Sequence, residues 1–138
     1  MKTFAPPCKI VTALVLLFSC LILTPMKAQT IQIDSTFTAD AELFPFSPND
    51  TIYGLSISGS VALHSDTSLV RVILTDIYGH EWMVFEAYPM IVSNTAFDID
   101  EECDETCYLE LTIPFSLKIL LTDADILLDS LILRLYCS

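Results

Sequence analysis

The chain has 138 residues, and its eighteen aspartates and glutamates against six lysines and arginines give a formal charge of −12. Such a field repels phosphate, which excludes nucleic acid and anionic lipid as partners. An apolar fraction of 53% excludes a disordered chain.

At the N-terminus, Lys2 and Lys9 precede a fourteen-residue apolar run, Ile10 to Leu23, and Met26-Lys27-Ala28-Gln29 follows as a small-residue exit. This is the layout of a secretory signal peptide, residues 1–28, cut near Ala28 or Gln29. The run falls short of the roughly twenty residues a membrane-spanning helix needs. Nothing after it resembles a stop-transfer segment, so the mature chain is expected to have no transmembrane segment and to be secreted or held at the cell surface. A rival reading takes Leu17-Phe18-Ser19-Cys20 as a lipoprotein cleavage box with Cys20 acylated, giving a periplasmic or outer-membrane lipoprotein. Phe18 is bulky for such a box, and the chain stays apolar to Leu23.

Removing the leader takes Lys2, Lys9 and Lys27 with it and leaves Arg71, Lys118 and Arg134 against all eighteen acids, a formal charge of −15 (three minus eighteen). About 110 residues remain, enough for one domain with a core. Residues 29–50 read as a linker or lead-in strand: Ile31, Ile33 and Phe37 alternate with polar residues, and Phe44-Pro45-Phe46-Ser47-Pro48 breaks regular structure. Residues 51–138 read as the module itself. From Tyr53 to Leu63, apolar side chains recur at every second position, the period of a strand with one buried face.

Ser65-Asp66-Thr67-Ser68 turns the chain into a β-branched run, Leu69 to Thr75, and Asp76-Ile77-Tyr78-Gly79-His80 turns it again into Trp82 to Tyr88. Short strands follow at Thr95 to Ile99 and Cys107 to Ile113. Beyond Pro114, the apolar positions Leu117, Leu120, Leu121, Ala124, Leu127, Leu128, Leu131 and Leu135 fit a helix face as well as strands. The turn chemistry of Thr122-Asp123-Ala124-Asp125 favours two strands, Leu117 to Leu121 and Ile126 to Leu135. Six or seven strands at this spacing predict an all-β fold, a β-sandwich of Greek-key or jelly-roll type.

Cys103, Cys107 and Cys137 survive export, and in an oxidising compartment Cys103 pairs most readily with Cys107 around Asp104-Glu105-Thr106. The alternative joins one of them to Cys137. Three cysteines with isolated His64 and His80 do not supply a zinc site. Asp98, Asp100, Glu102 and Asp104 belong to a stretch of six carboxylates in eight residues, the oxygen chemistry that calcium prefers, although the glycine turn and spacing of an EF-hand loop are missing. A solvated acidic loop is the plainer reading, so no cofactor is expected, with calcium as the alternative.

Gly54-Leu55-Ser56-Ile57-Ser58-Gly59 misses the G-x-S-x-G elbow by one residue and sits inside a strand. Tyr78 and Trp82 are candidates for an aromatic platform under a sugar ring, against the commoner role of strand aromatics in packing. Asn49-Asp50-Thr51 matches the N-glycosylation pattern, and Asp34-Ser35-Thr36 and Asp50-Thr51-Ile52 match an Asp-Ser/Thr-apolar O-glycosylation pattern of Bacteroidota.

The segments Ser56-Ile57-Ser58-Gly59-Ser60-Val61, Ser68-Leu69-Val70-Arg71-Val72-Ile73-Leu74, Phe85-Glu86-Ala87-Tyr88-Pro89, Cys103-x-x-x-Cys107 and Leu117-Lys118-Ile119 together resemble a β-rich N-terminal module of exported Bacteroidota proteins. In those proteins the module precedes a papain-like cysteine peptidase domain. The likeness runs over about residues 55 to 133. It implies a pro-region or accessory role, and it lends no catalytic residue, because the cysteines here lack the Gln, Gly and Trp neighbours of such a nucleophile. Without the downstream domain, a stand-alone copy or a truncated gene is implied. Leu127-Leu128-Asp129-Ser130-Leu131-Ile132-Leu133 also resembles the closing strand of galactose-binding-like jelly rolls.

These observations lead to the expectation of a secreted, non-catalytic β-sandwich module with an interaction or accessory role toward a protein or glycan partner. The alternatives are a carbohydrate-binding module and a pro-region or inhibitor of a papain-like peptidase.

Overall fold

A computed structural model of the protein describes residues 26–89, 96–103 and 109–136. They form eight strands: β1 (Met26–Phe37), β2 (Ala41–Leu43), β3 (Ile52–Leu63), β4 (Leu69–Asp76), β5 (Glu81–Ala87), β6 (Ala96–Cys103), β7 (Pro114–Thr122) and β8 (Ala124–Tyr136). Among the described residues, no helix is long and apolar enough to cross a membrane.

The pairing is nested. The first strand pairs with the last, the second with the seventh, the third with the sixth and the fourth with the fifth, all antiparallel. Rolling such a long double hairpin across itself adds two further pairs, β3 with β8 and β4 with β7. Two four-stranded sheets result, ordered β1-β8-β3-β6 and β2-β7-β4-β5. This is the strand order of a jelly-roll β-sandwich, so the expected fold class holds.

Alternation builds the core. Leu55, Ile57, Val61 and Leu63 of β3 face Val70, Val72 and Leu74 of β4, Leu117 and Ile119 of β7, and Ile126, Leu128, Leu131 and Leu133 of β8 in one buried cluster. Each such side chain contributes roughly 1.5–3 kcal/mol by leaving water. The first apolar position of β3 departs from the sequence reading: a register irregularity between Ile52 and Gly54 puts Ile52, not Tyr53, in the core.

Segment 29–50 is more than a linker, since β1 is a twelve-residue edge strand and β2 a three-residue one. Conversely, the strand expected over Cys107–Ile113 is not formed by its described part. Leu109 is buried and Leu111 is 57% exposed, and only Thr112 pairs, trading backbone hydrogen bonds of 2.9 and 2.8 Å with Ile52. Pro114 is the first residue of β7, a position that needs no amide proton.

The helix-or-strand ambiguity beyond Pro114 resolves to strands β7 and β8, joined through Asp123 at φ 45°. Its origin is a bulge. Ser58 pairs with Ser130 and Gly59 with Leu128, so Asp129 is an extra residue and the buried positions of β8 jump from Leu128 to Leu131. That three-residue step imitates a helical period. Gly59 is required at the same place, because a Cβ there would lie 1.9 Å from the carbonyl oxygen of Leu127.

Candidate functional site

The two outward faces of the sandwich differ in what they present. On the β2-β7-β4-β5 sheet, long charged side chains pair with one another: Arg71 Nε lies 2.7 Å from Glu86 Oε2, and Lys118 Nζ lies 2.9 Å from Glu81 Oε2. The buried Ser116 hydroxyl donates to Glu42 Oε2 at 2.6 Å.

On the β1-β8-β3-β6 sheet the corresponding positions are short. Ser56, Ser58, Ser60 and Ala62 alternate with the core residues of β3, and Ser58 and Ser130 hydroxyls meet across the sheet at 2.9 Å. Short side chains leave a shallow trough of about 420 Å³, walled by Thr36, Phe97, Asp98, Asp125 and Leu127 over a floor that includes Ser60 and Ala62. Four strands supply it. Two carboxylates make it acidic and the hydroxyls make it a hydrogen-bonding surface, chemistry suited to a polyhydroxylated or cationic ligand.

Asp125 is held at the rim by His64, whose Nε2 lies 3.0 Å from Asp125 Oδ2 with both side chains about two-fifths exposed. Ser68 lies near this pair in the turn, but its geometry is not that of a nucleophile. Its hydroxyl donates to the Asp123 carbonyl and accepts from the backbone amides of His64 and Ser65, each at 2.9 Å. The hydroxyl is therefore consumed in clasping the 64–68 turn to the β7–β8 turn, and the imidazole does not reach it as a general base would.

Asp98, Asp100 and Glu102 were expected in an acidic loop and instead lie on the edge strand β6, opposite Ser60, Ser58 and Ser56. Alternate positions on a strand are roughly 6.6 Å apart. Calcium ligands sit about 2.3–2.6 Å from the ion, and the side chains of Asp100 and Glu102 lie outside the described residues. The acids also guard an open sheet edge against pairing with another chain. Asp104, Cys107 and Cys137 lie outside the described residues, as does the Cys103 side chain, so the disulfide expectation falls there too. Cys103 stands opposite Leu55 in the register.

Tyr78 and Trp82 belong to the β4–β5 hairpin at the far end of the sandwich from His64 and Asp125. Their rings flank His80, with centroids 6.3 and 6.1 Å from the imidazole and planes tilted by 53° and 70°. Trp82 packs partly buried against the core, whereas Tyr78 is 74% exposed.

Asp76 organises this hairpin. Its carboxylate accepts from the amides of Tyr78 and His80, both at 2.8 Å, and from His80 Nδ1 at 2.9 Å. Burial pushes the carboxyl pKa up, but the hydrogen bonds from His80 and Tyr78 outweigh it and hold the group below its ordinary 3.8. Gly79, at φ 89°, supplies the left-handed step that closes the turn.

The sequence matches no family model and no curated protein. Solved structures with some similarity are capsid proteins of infectious bursal disease virus. Its VP2 subviral particle is 14% identical, with 80% of this chain and 33% of that chain covered at a TM-score of 0.40. The structure of the virus's Gx strain is also 14% identical, with 82% and 33% covered at a TM-score of 0.43. The chain thus spans about a third of the proteins it matches.

Proposed function

We propose that this is an exported, non-catalytic β-sandwich module that works by binding a partner on the outer face of its β1-β8-β3-β6 sheet. The observation that carries the reading is the trough over Ser60 and Ala62, bordered by Asp98 and Asp125. A ligand can approach the backbone closely only where the side chains are short, and this sheet is short-chained along most of β3. The committed hydroxyl of Ser68 supports the non-catalytic part of the reading.

The test fills the trough. Ala62→Trp should abolish retention of the natural partner from the exported protein's surroundings while leaving thermal unfolding unchanged, and retention that survives would remove the trough from the account. Hydrolysis by the purified protein that a single substitution eliminates would overturn the non-catalytic reading. Intact mass of the exported chain addresses its location: a start near Gln29 or Thr30 fits secretion, and a lipid-bearing Cys20 fits a surface lipoprotein.

A saccharide ligand is the second reading, favoured by the carboxylate and hydroxyl rim. On a glycan array Asp125→Asn should then reduce binding and Tyr78→Ala should not. The peptidase-accessory role implied by the family resemblance predicts that the module slows a papain-like enzyme in trans. Unimpaired turnover at high module concentration would discard it.

A further inference from the structure

Six of the eleven exposed large apolar side chains among the described residues stand at one end of the sandwich. Phe44, Ile77, Tyr78, Leu111, Phe115 and Tyr136 are 62%, 49%, 74%, 57%, 51% and 44% exposed. The Phe44 and Phe115 rings meet edge-on at 5.5 Å. Ile77 donates its amide to the Ile113 carbonyl, and Tyr136 donates to Thr51, which ties the loops bearing these residues into one surface. Toward the opposite end, among the described residues, the turns present Asp40, Asp66 and Asp123, with Tyr88, Phe97 and Leu120 as the large exposed apolar side chains. An apolar cluster of this size on a small domain marks a contact.

The chain itself indicates what the contact is. Met26 pairs with Tyr136, so residues 1–25, with their apolar run Ile10–Leu23, join the fold at the same end. Lys27 and Arg134 stand in adjacent register positions there, opposite Leu135 and Ala28. Aromatic side chains beside a few cations are the composition of a protein surface at the lipid–water boundary. Processing at Cys20 would keep every β1–β8 pair and leave a six-residue connection to Met26. Fully extended, that connection spans no more than about 20 Å. Processing after Ala28 would strip three of the pairs.

We propose that the end carrying Phe44, Ile77, Tyr78, Leu111 and Phe115 docks on a lipid bilayer to which the N-terminal segment tethers the sandwich, leaving the trough and the acidic turns facing away. The proposal rests on residues 1–25 directing the chain to a membrane and not on the identity of the trough's ligand. The net negative charge requires a zwitterionic surface, because an anionic one would repel the domain.

The experiment reconstitutes the full chain with phosphatidylcholine vesicles and measures flotation and amide hydrogen exchange. The expected result is a floating chain in which residues 44–50, 77–80 and 109–113 exchange at least about threefold more slowly than in vesicle-free protein, with 38–40 and 64–68 unchanged. Phe44→Ser combined with Phe115→Ser should float equally, unfold at the same denaturant concentration and lose that protection. A chain that floats with both ends exchanging alike overturns the docking surface alone, whereas one that does not float overturns the tether as well. Protection already present without vesicles overturns the proposal too, in favour of a second copy if it rises with protein concentration and of the chain's own apolar run if it does not.

Discussion

The two sheets use the same alternation and bury the same kinds of side chain, and both carry bulges, but in different places: one slips in its β4–β5 ladder between Val72 and Ile73, the other at its centre, where β1 and β3 both step past Asp129 of β8. In β2-β7-β4-β5 the central pair runs from Leu69–Thr122 to Thr75–Ser116 without a slip, and its outer surface is covered by paired charges. In β1-β8-β3-β6 the ladder slips at Gly59 and again where β1 passes from Gln32 to Ser35, both opposite the extra residue Asp129. The β1-β8-β3-β6 sheet is also the one with short side chains along β3 and the trough. A bulge twists a sheet locally, and the one at Asp129 lies in the sheet that carries the trough. Short outer side chains, more than irregularity alone, therefore mark the candidate working face.

The sharpest way to break that contrast is Gly59→Ala. The added methyl would sit 1.9 Å from the Leu127 carbonyl oxygen, in backbone that is paired on both sides and cannot yield as a flexible side chain would. We expect destabilisation by more than about 3 kcal/mol in urea unfolding, with misfolding the extreme case. An alanine tolerated within about 0.5 kcal/mol would mean that the bulge is not fixed as described.

The same bulge explains what the sequence could and could not convey. Strands β3, β4 and β5 were legible within a residue or two because strict alternation runs between turn residues. β8 was placed as a strand, Ile126 to Leu135, only through the turn chemistry before it, because stepping over Asp129 puts Leu128 and Leu131 on one face at a helical interval and left a helix open as the alternative. β1 left open a linker or a lead-in strand, because its alternating side chains, Ile31, Ile33 and Phe37, are only partly buried on an edge. The strand expected over Thr95 to Ile99 runs on as β6 to Cys103, and the acids disguised that second half, since aspartate and glutamate are poor strand formers and an edge tolerates them. Of the site, the residue types were visible but their association was not: Thr36, Ser60, Asp98 and Asp125 meet only because the jelly-roll order sets β1, β3, β6 and β8 side by side.

Next in size is Asp76→Asn, on the end of the β2-β7-β4-β5 sheet. The carboxylate receives three hydrogen bonds while almost wholly buried, and its pKa is lowered in the fold. A lowered carboxyl pKa adds stability that is complete above the unfolded value and is lost as pH falls through the folded one. The variant should therefore be about 2 kcal/mol less stable at pH 7, and its deficit should shrink as pH drops below the ordinary 3.8. A deficit independent of pH would assign the effect to shape and not to charge.

Ser68→Ala comes third, at about 1–2 kcal/mol. It leaves the Ser65 amide and the Asp123 carbonyl without the hydroxyl that joins their two turns, while the His64 amide keeps its 3.2 Å bond to Asp123. Because the clasp fixes the turn next to Asp125, trough binding should weaken along with stability, and hydrogen exchange at 64–68 should quicken. Exchange protection left intact in the Ser68→Ala variant would show that the turn is set by its backbone alone.

The smallest effect is expected where contacts look richest. Arg71 and Glu86 form a single short ion pair on the β2-β7-β4-β5 sheet, with side chains 42% and 34% exposed. Water screens such charges, and holding two long side chains in one geometry costs entropy, so a double-mutant cycle through Arg71→Ala and Glu86→Ala should give a coupling below about 1 kcal/mol. Raising the salt to about 1 M, where the Debye length is near 3 Å, should erase most of it. A coupling that is larger and indifferent to salt would make this face a structural girdle equal to the bulge, and the contrast between the sheets would no longer single out the β1-β8-β3-β6 face. A small coupling means instead that the charged face keeps the protein dissolved and the fold is decided by Gly59 and the core beneath it.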